Sequence, residues 1–310
     1  MRSEMKMEKE GMSEGGEEEA LYKCQKRSEV KKRAMPQNFL DLHIVDFCQL
    51  DCKHCYLNKG KRVMPLNMLR AICEDFLKTD FPLPQNSIIL SGGEPLLHPK
   101  FVEACNIVRK LNGHITMSTN GILIPKFIHT FKRNDGIQVS IDGDQKAHDY
   151  IRGKGSYEKA VRALKLLDEH GIRHTLSFTI NQANKHCIDH IIDLCIETGT
   201  CTLNFNIYQP IRKSDLEPIR YMEWIELKKY AEKRAEKEGI YLPKGCIEGG
   251  CIARILGLSV LPDGTYWDCS RNQKVIGKYP QPIREVLLWD NIKRHEPVNP
   301  FETCCRNLKW

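Results

Sequence analysis

Three thiols stand close together in the segment Cys48-Gln49-Leu50-Asp51-Cys52-Lys53-His54-Cys55. Soft thiolates at spacings of four and three residues wrap readily around one metal centre. A single zinc ion would need a fourth ligand, for which His54 and His43 are at hand. His54 is wedged between two of the thiols, however, and reaching the same ion from there is strained. Three thiolates alone suit a cubane [4Fe–4S] cluster with one iron left open, and the spacing favours that centre over zinc. A second group of thiols, Cys246, Cys251, Cys269, Cys304 and Cys305, lies far downstream. Of the other six among fourteen cysteines, Cys73, Cys105, Cys187 and Cys195 sit on helix-like apolar faces and Cys201 opens a strand-like run, so these five read as small buried hydrophobes. Cys24 reads as a bystander. The start of the chain has no apolar core of the kind a secretory signal needs, so a cytoplasmic, reducing compartment without disulfides is expected.

Ligands of this kind need a scaffold that brings loops together. Residues 1–34 are rich in Glu and Lys, poor in large apolar residues, and read as a disordered charged leader. From residue 38 onward, strand-like runs at Phe39–Val45, Ser87–Leu90, His114–Ser118, Ile137–Ile141, Thr175–Ile180 and Thr202–Tyr208 alternate with helix-like stretches near 65–78, 99–111, 123–132, 157–170, 184–198 and 221–238. Gly113, Gly136 and Gly171 each stand just before a strand, where a helix-ending glycine belongs. Six strands with crossovers of helical length imply parallel βα units, hence an α/β fold of the open or partial (β/α)6 TIM-barrel type over 35–239. In such folds chemistry sits at the carboxyl ends of the strands, and Cys48, Cys52 and Cys55 follow the first strand directly. After Gly239, Gly, Pro and Cys become frequent and helical periodicity fades until about 283–294, so 240–310 reads as a second, smaller domain.

The other strand ends carry motifs. The second ends in Ser91-Gly92-Gly93-Glu94-Pro95 and the third in Ser118-Thr119-Asn120-Gly121. The fourth ends in Ser140-Ile141-Asp142-Gly143, followed by His148-Asp149 and Arg152-Gly153. Together with the CxxxCxxC loop, these resemble the radical S-adenosylmethionine (radical SAM) superfamily over roughly 38–210. The resemblance implies a [4Fe–4S] cluster on Cys48, Cys52 and Cys55, with S-adenosylmethionine chelating the open iron through its amino and carboxylate groups. Gly92 and Gly93 would let the backbone approach the amino group, and Glu94 would either add an acceptor or hold the turn. Arg152 and Ser140 would meet the carboxylate, while Asp142 and Asn120 are polar strand-end residues of the same site. Asn181 would face the ribose or adenine or cap the next helix. Tyr56 and His54 would pack against adenine or order the loop.

The downstream cysteines resemble the opening of SPASM and twitch domains, which carry auxiliary clusters. Leu261-Pro262-Asp263-Gly264 is a turn that would place Cys251 and Cys269 at the flanks of a hairpin. A second, closed [4Fe–4S] cluster would use Cys246, Cys251, Cys269 and one of Cys304 and Cys305, with structural zinc as the alternative. The cysteine left over is packing, or it returns a hydrogen atom to a substrate radical as in radical peptide epimerases.

The activity implied is reductive cleavage of S-adenosylmethionine to a 5′-deoxyadenosyl radical that takes a hydrogen atom from a substrate. The leading substrate is a ribosomally made peptide or protein, modified by a maturase of epimerase or cross-linking type. No winged-helix-like peptide-recognition module is expected in 1–34. The alternatives are oxidation or transfer on a small molecule in a biosynthetic pathway, and a non-catalytic iron–sulfur scaffold that binds S-adenosylmethionine. An electron donor of flavodoxin or ferredoxin type is implied. With 47 basic and 40 acidic residues scattered along 310, the net charge of +7 reads as a solvated surface rather than a nucleic-acid footprint. No apolar run nears the roughly 20 residues that span a bilayer, so no membrane association is expected.

Overall fold

The computed structural model describes residues 38–81, 83, 86–245 and 253–287. The 1–34 leader and Cys246, Cys251, Cys304 and Cys305 lie outside the described residues. Six strands, β1 (Asn38–Val45), β2 (Asn86–Gly92), β3 (His114–Thr119), β4 (Gly136–Ser140), β5 (His174–Ile180) and β6 (Leu203–Ile207), lie side by side in chain order. Every neighbouring pair among them is parallel. The helices between them are α1 (Leu66–Lys78), α2 (Phe101–Lys110), α3 (Ile124–Phe127), α4 (Gln145–Arg152), α5 (Ser156–Glu169) and α6 (Ile188–Glu197), and α7 (Tyr221–Lys237) follows β6. This is the expected α/β partial barrel, and the sheet is open.

Successive side chains of a strand point to opposite sides, which gives the sheet two unlike faces. Leu40, Leu42 and Ile44 of β1, Ile88 and Leu90 of β2, and Leu176, Phe178 and Ile180 of β5 are fully buried. They join Leu69, Ile72 and Phe76 of α1 and Leu164 and Leu167 of α5 in one core between sheet and helices. The intervening residues, such as Asp41, Ser118, Gln138, Ser177 and Asn206, face the other side. Cys73, Cys105, Cys187 and Cys195 are buried as expected of small hydrophobes, and Cys201 is half-buried ahead of β6.

Beyond α7 the sheet continues. β7 (Gly257–Val260) runs parallel to β1 on its free side, with Leu40 opposite Leu258 and Leu42 opposite Val260. β8 (Thr265–Trp267) and β9 (Val275–Lys278) then add antiparallel, giving the order β6-β5-β4-β3-β2-β1-β7-β8-β9. The expected turn at Leu261–Gly264 joins β7 to β8, closed by Gly264 N–H on Leu261 O (2.9 Å), and Gly264 takes φ +82°. The short helix α8 (Ile283–Val286) follows.

Several local expectations are corrected. Asn112 (φ +59°), not Gly113, makes the left-handed turn after α2, and Gly136 is the first residue of β4; Gly171 (φ +63°) does end its helix region. The 123–132 stretch holds only α3, with Pro125 in its first turn, and a 3-10 turn. Helix α4 was not expected, although Asp144 caps it through Ala147 N–H (2.8 Å) and Gly153 (φ +123°) ends it. Among the described residues no helix is long and apolar enough to cross a membrane.

Candidate functional site

The carboxyl ends of the strands surround a cavity of about 470 Å³. Cys48, Cys52 and Cys55 line it from the loop after β1. The loop is closed on itself by Asp46, whose carboxylate accepts from Arg62 N–H (2.7 Å) and Arg62 Nε (2.6 Å). Inside the loop, Cys48 Sγ accepts from Leu50 N–H (3.4 Å) and Asn120 Nδ2 (3.6 Å), the latter from the end of β3. Burial pushes the Cys52 thiol up to about 11 and raises Cys48, while the Arg152 charge pulls Cys52 back in part. The positive charge of a metal centre reverses that balance, since bound thiols are deprotonated.

Gly92 and Gly93 also line the cavity, and the structure shows why both must be glycine. A Cβ on Gly93 would stand 2.0 Å from Phe47 O, and one on Gly92 (φ +123°) 2.1 Å from Val45 O. The close approach is to the backbone of the cysteine loop itself: Gly93 N–H donates to Val45 O and Glu94 N–H to Phe47 O, both at 2.9 Å. Glu94 does not line the cavity. Fully buried, its carboxylate accepts from Thr119 Oγ1 (2.8 Å), Asn120 N–H (2.9 Å) and Leu96 N–H (3.2 Å), which ties the end of β2 to the end of β3. Burial pushes Glu94 up to about 7 despite these donors. Of the two readings of Glu94, the geometry matches the one that holds the turn.

Arg152 lines the cavity from the last position of α4, and Asp142 lies behind it. Asp142 accepts from Arg152 Nε (2.5 Å) and Thr179 N–H (3.0 Å), and its own N–H donates to His148 Nδ1 (3.1 Å). Burial alone would raise the Asp142 carboxyl; the Arg152 charge leads in holding it below its ordinary value. Arg152 Nη2 also meets His54 Nε2 at 3.2 Å, and burial pulls His54 down to about 4, so that ring is neutral. Ser140 lines the cavity at the end of β4. Asn181 does not: its Oδ1 accepts from Ala183 N–H (2.9 Å) and its N–H donates to Asn184 Oδ1 (2.7 Å), a turn leading toward α6. Tyr56 lines the cavity with its ring 6.4 Å from that of His43, and burial raises its hydroxyl.

The residues that sequence reasoning missed sit below the cysteine loop. Asp41 of β1 lines the cavity and accepts from Ser91 Oγ, Ser270 Oγ (2.7 Å), Ser259 Oγ (3.0 Å) and His43 Nε2 (3.3 Å). Burial opposes its charge, but His43 and the hydroxyls overcome it and hold Asp41 at about 2. The signal was present: Leu-Asp-Leu-His-Ile places Asp41 and His43 on the strand face opposite the core. Cys269 follows β8 on a loop in which Asp268 Oδ1 accepts from Cys269 N–H (2.7 Å) and Lys274 N–H (3.1 Å). The next two residues, Ser270 and Arg271, reach the cavity wall.

The donor set fits an iron–sulfur cluster. Three thiols face one cavity, with N–H donors already directed at Cys48. Among the described residues, the trio of ligand-type side chains whose atoms all lie within 4.8 Å is Asp144, His186 and Cys187, not the three loop cysteines. The loop is thus not drawn tight around a single ion.

Comparison with known proteins agrees with this site. A sequence model of the Radical SAM superfamily matches residues 42–195. The chain is 29% identical over 171 residues to a pre-heme d1 synthase of Dinoroseobacter shibae (54% of this chain, 42% of that protein). It is 28% identical over 168 residues to the antilisterial bacteriocin subtilosin biosynthesis protein AlbA of Bacillus subtilis (51% and 37%). It is 25% identical over 285 residues to an AdoMet-dependent heme synthase of Methanosarcina barkeri (79% of each). For the first two, the match spans about two fifths of the relative's length. In fold, the chain is similar to Streptococcus suis SuiB bound to precursor peptide SuiA, with a TM-score of 0.68 at 18% identity, covering 96% of this chain and 76% of that one.

Proposed function

Because the chain belongs to the radical SAM superfamily of enzymes, we propose that it binds a [4Fe–4S] cluster and S-adenosylmethionine and abstracts a hydrogen atom from a ribosomally made peptide or protein. The observation that carries this reading is the convergence of five separate segments on one cavity: Cys48, Cys52 and Cys55, then Gly92-Gly93, Asn120, Ser140 and Arg152. When bound, the cluster and S-adenosylmethionine supply a 5′-deoxyadenosyl radical, which no side chain can provide.

The chain's own residues do the rest. Cys48, Cys52 and Cys55 would hold the cluster. Asn120 donates to Cys48 Sγ and so acts on the ligand itself. Arg152, held in place by Asp142, offers its remaining donors to the carboxylate of S-adenosylmethionine, and Ser140 adds a hydroxyl. Ile207 at the end of β6, with Tyr208 and Ile211 after it, lines the cavity with apolar surface that disfavours water.

Similarity to AlbA supports the peptide substrate. A small-molecule substrate is the second reading, favoured by the heme synthase match that spans 79% of both chains. The reading extends to a closed auxiliary cluster on Cys246, Cys251, Cys269 and one of Cys304 and Cys305, in a domain over 240–310. An external flavodoxin- or ferredoxin-type donor completes it.

The test is direct. Anaerobically reconstituted protein is assayed for iron and sulfide, reduced, given S-adenosylmethionine, and analysed for 5′-deoxyadenosine. Cleavage that disappears in Cys52→Ala is expected. Reconstituted, reduced protein that forms none refutes the reading. With a ribosomally made precursor peptide and a tetrapyrrole precursor as rival substrates, the one that changes mass decides between the two substrate classes.

A further inference from the structure

The inner face of a closed (β/α) barrel is normally packed with Val, Ile and Leu. Here it is polar and cross-linked. Gln138 Nε2 donates to Ser118 Oγ (3.1 Å), Asn204 Nδ2 to Gln138 Oε1, and Asn206 Nδ2 to Ser177 Oγ (3.2 Å). A hydrogen-bonded wall thus runs from β3 to β6, below the residues assigned to S-adenosylmethionine.

Two groups that flank this wall and line the same cavity have capacity to spare. Among the described residues Asp41, 14% exposed, carries three donors on Oδ2 but only Ser91 on Oδ1, so Oδ1 can accept another hydrogen bond. The hydroxyls and His43 that surround Asp41 keep it ionised, so it faces the cavity as an acceptor only. Across from β1, Gln209 follows β6 and lines the same cavity, and among the described residues its buried Nε2 has no hydrogen-bond partner. A buried, unpaired amide N–H₂ is costly, and an acceptor on a bound ligand would remove that cost. Arg271 stands on the wall with them, and its Nη2 donates to Asn206 Oδ1 (3.3 Å).

We propose that this wall is the substrate subsite and that it reads an amide, taking an N–H on Asp41 Oδ1 and a carbonyl oxygen on Gln209 Nε2 beside Arg271. The assignment rests on the peptide reading above and sharpens it. Each peptide unit offers one N–H and one C=O, the pairing the wall can satisfy. A ligand that offers no acceptor there would leave Gln209 Nε2 dry and unpaired, and sites built around polar groups reject such ligands strongly. The Cys269 loop takes part, because Ser270 holds Asp41 and Arg271 extends the wall; substrate binding and the second cysteine group therefore meet at adjacent residues.

Two probes test this with the reconstituted full chain, dithionite as electron source, and S-adenosylmethionine. One is N-acetylalanine methylamide deuterated on its alanine carbons. The other is its N,N′-dimethylated form, which keeps both carbonyls and has no N–H. The readout is the fraction of 5′-deoxyadenosine that carries deuterium, a ratio independent of how much protein is active. That fraction should be about tenfold higher or more from the amide with N–H groups, the factor one hydrogen bond gives. Asp41→Asn should shrink the difference between the probes, and Gln209→Leu should lower the fraction from both. Equal fractions from the two probes overturn the proposal. So does unlabelled 5′-deoxyadenosine from both, which shows radical formation without amide binding. Absence of 5′-deoxyadenosine strikes the parent reading, and the proposal with it.

Discussion

The two faces of the parallel sheet are built from the same strands and obey opposite rules. On the outer face Leu40, Leu42, Leu176 and Phe178 are fully buried against the helices. On the inner face their immediate neighbours Asp41, His43, Ser177 and Thr179 carry hydrogen bonds and line or adjoin the cavity. A shift of one residue along any strand would exchange the two sets. The alternation lets cohesion and chemistry occupy adjacent positions, and it predicts that substitutions one residue apart fail in different assays.

The largest expected effect is on the inner rim. Cys52→Ala should abolish S-adenosylmethionine cleavage and lower bound iron, while the thermal melting of the metal-free protein stays near that of the unaltered chain. Iron determination and 5′-deoxyadenosine analysis read the first; a melting curve reads the second. A variant that binds full iron and still cleaves would break the distinction between the faces. Phe178→Ala makes the opposite test. Its ring is fully buried and packs 5.5 Å from that of Phe205, so truncation should cost roughly 3–5 kcal/mol in urea unfolding. Whatever stays folded should retain its affinity for S-adenosylmethionine.

Gly93→Ala sharpens the comparison at the boundary. The added methyl would meet Phe47 O at 2.0 Å, and neither backbone can withdraw without breaking the 2.9 Å bonds from Gly93 to Val45 and Glu94 to Phe47. A destabilisation of about 1–3 kcal/mol is expected, together with weaker S-adenosylmethionine binding by titration calorimetry. Loss of stability with unchanged binding would assign the glycine to packing alone.

Much of this was legible in the sequence because it is local. Cysteine spacing, strand-end motifs and period-two runs survive without coordinates, and the six barrel strands fall within two residues of their expected ends. What was not legible depends on where a polar side chain points. The sequence leaves Glu94 and Asn181 open between facing the ligand and holding a turn, and it groups Asp142 with the site; in the structure each lies behind the wall and positions a neighbour: Asn120, the turn after β5 and Arg152 respectively. Asp41 shows the converse. Its alternation was readable, but its partners Ser259 and Ser270 lie more than 200 residues away and only the pairing of β7 with β1 brings them there.

The last comparison concerns Glu94 and Asp41, two carboxyls near the cavity with opposite shifts. Folding raises Glu94 from 4.5 to about 7, so between those values the folded chain holds a proton that the unfolded chain has released. Stability therefore falls as pH rises from about 4.5 to about 7 and levels off above. Asp41 is lowered from 3.8 to about 2, so its contribution is complete above about 3.8 and is lost as pH falls toward 2. Glu94→Gln should flatten the first limb and leave the second. It should also lower stability across the range, because Oε1 can still accept from Thr119 and Leu96 while the new N–H₂ faces Asn120 N–H, donor against donor. Urea midpoints between pH 4.5 and 7.5 decide it. Parallel curves for the two proteins would mean that Glu94 is already ionised at the bottom of the window, and that the tie between β2 and β3 is made by a charge.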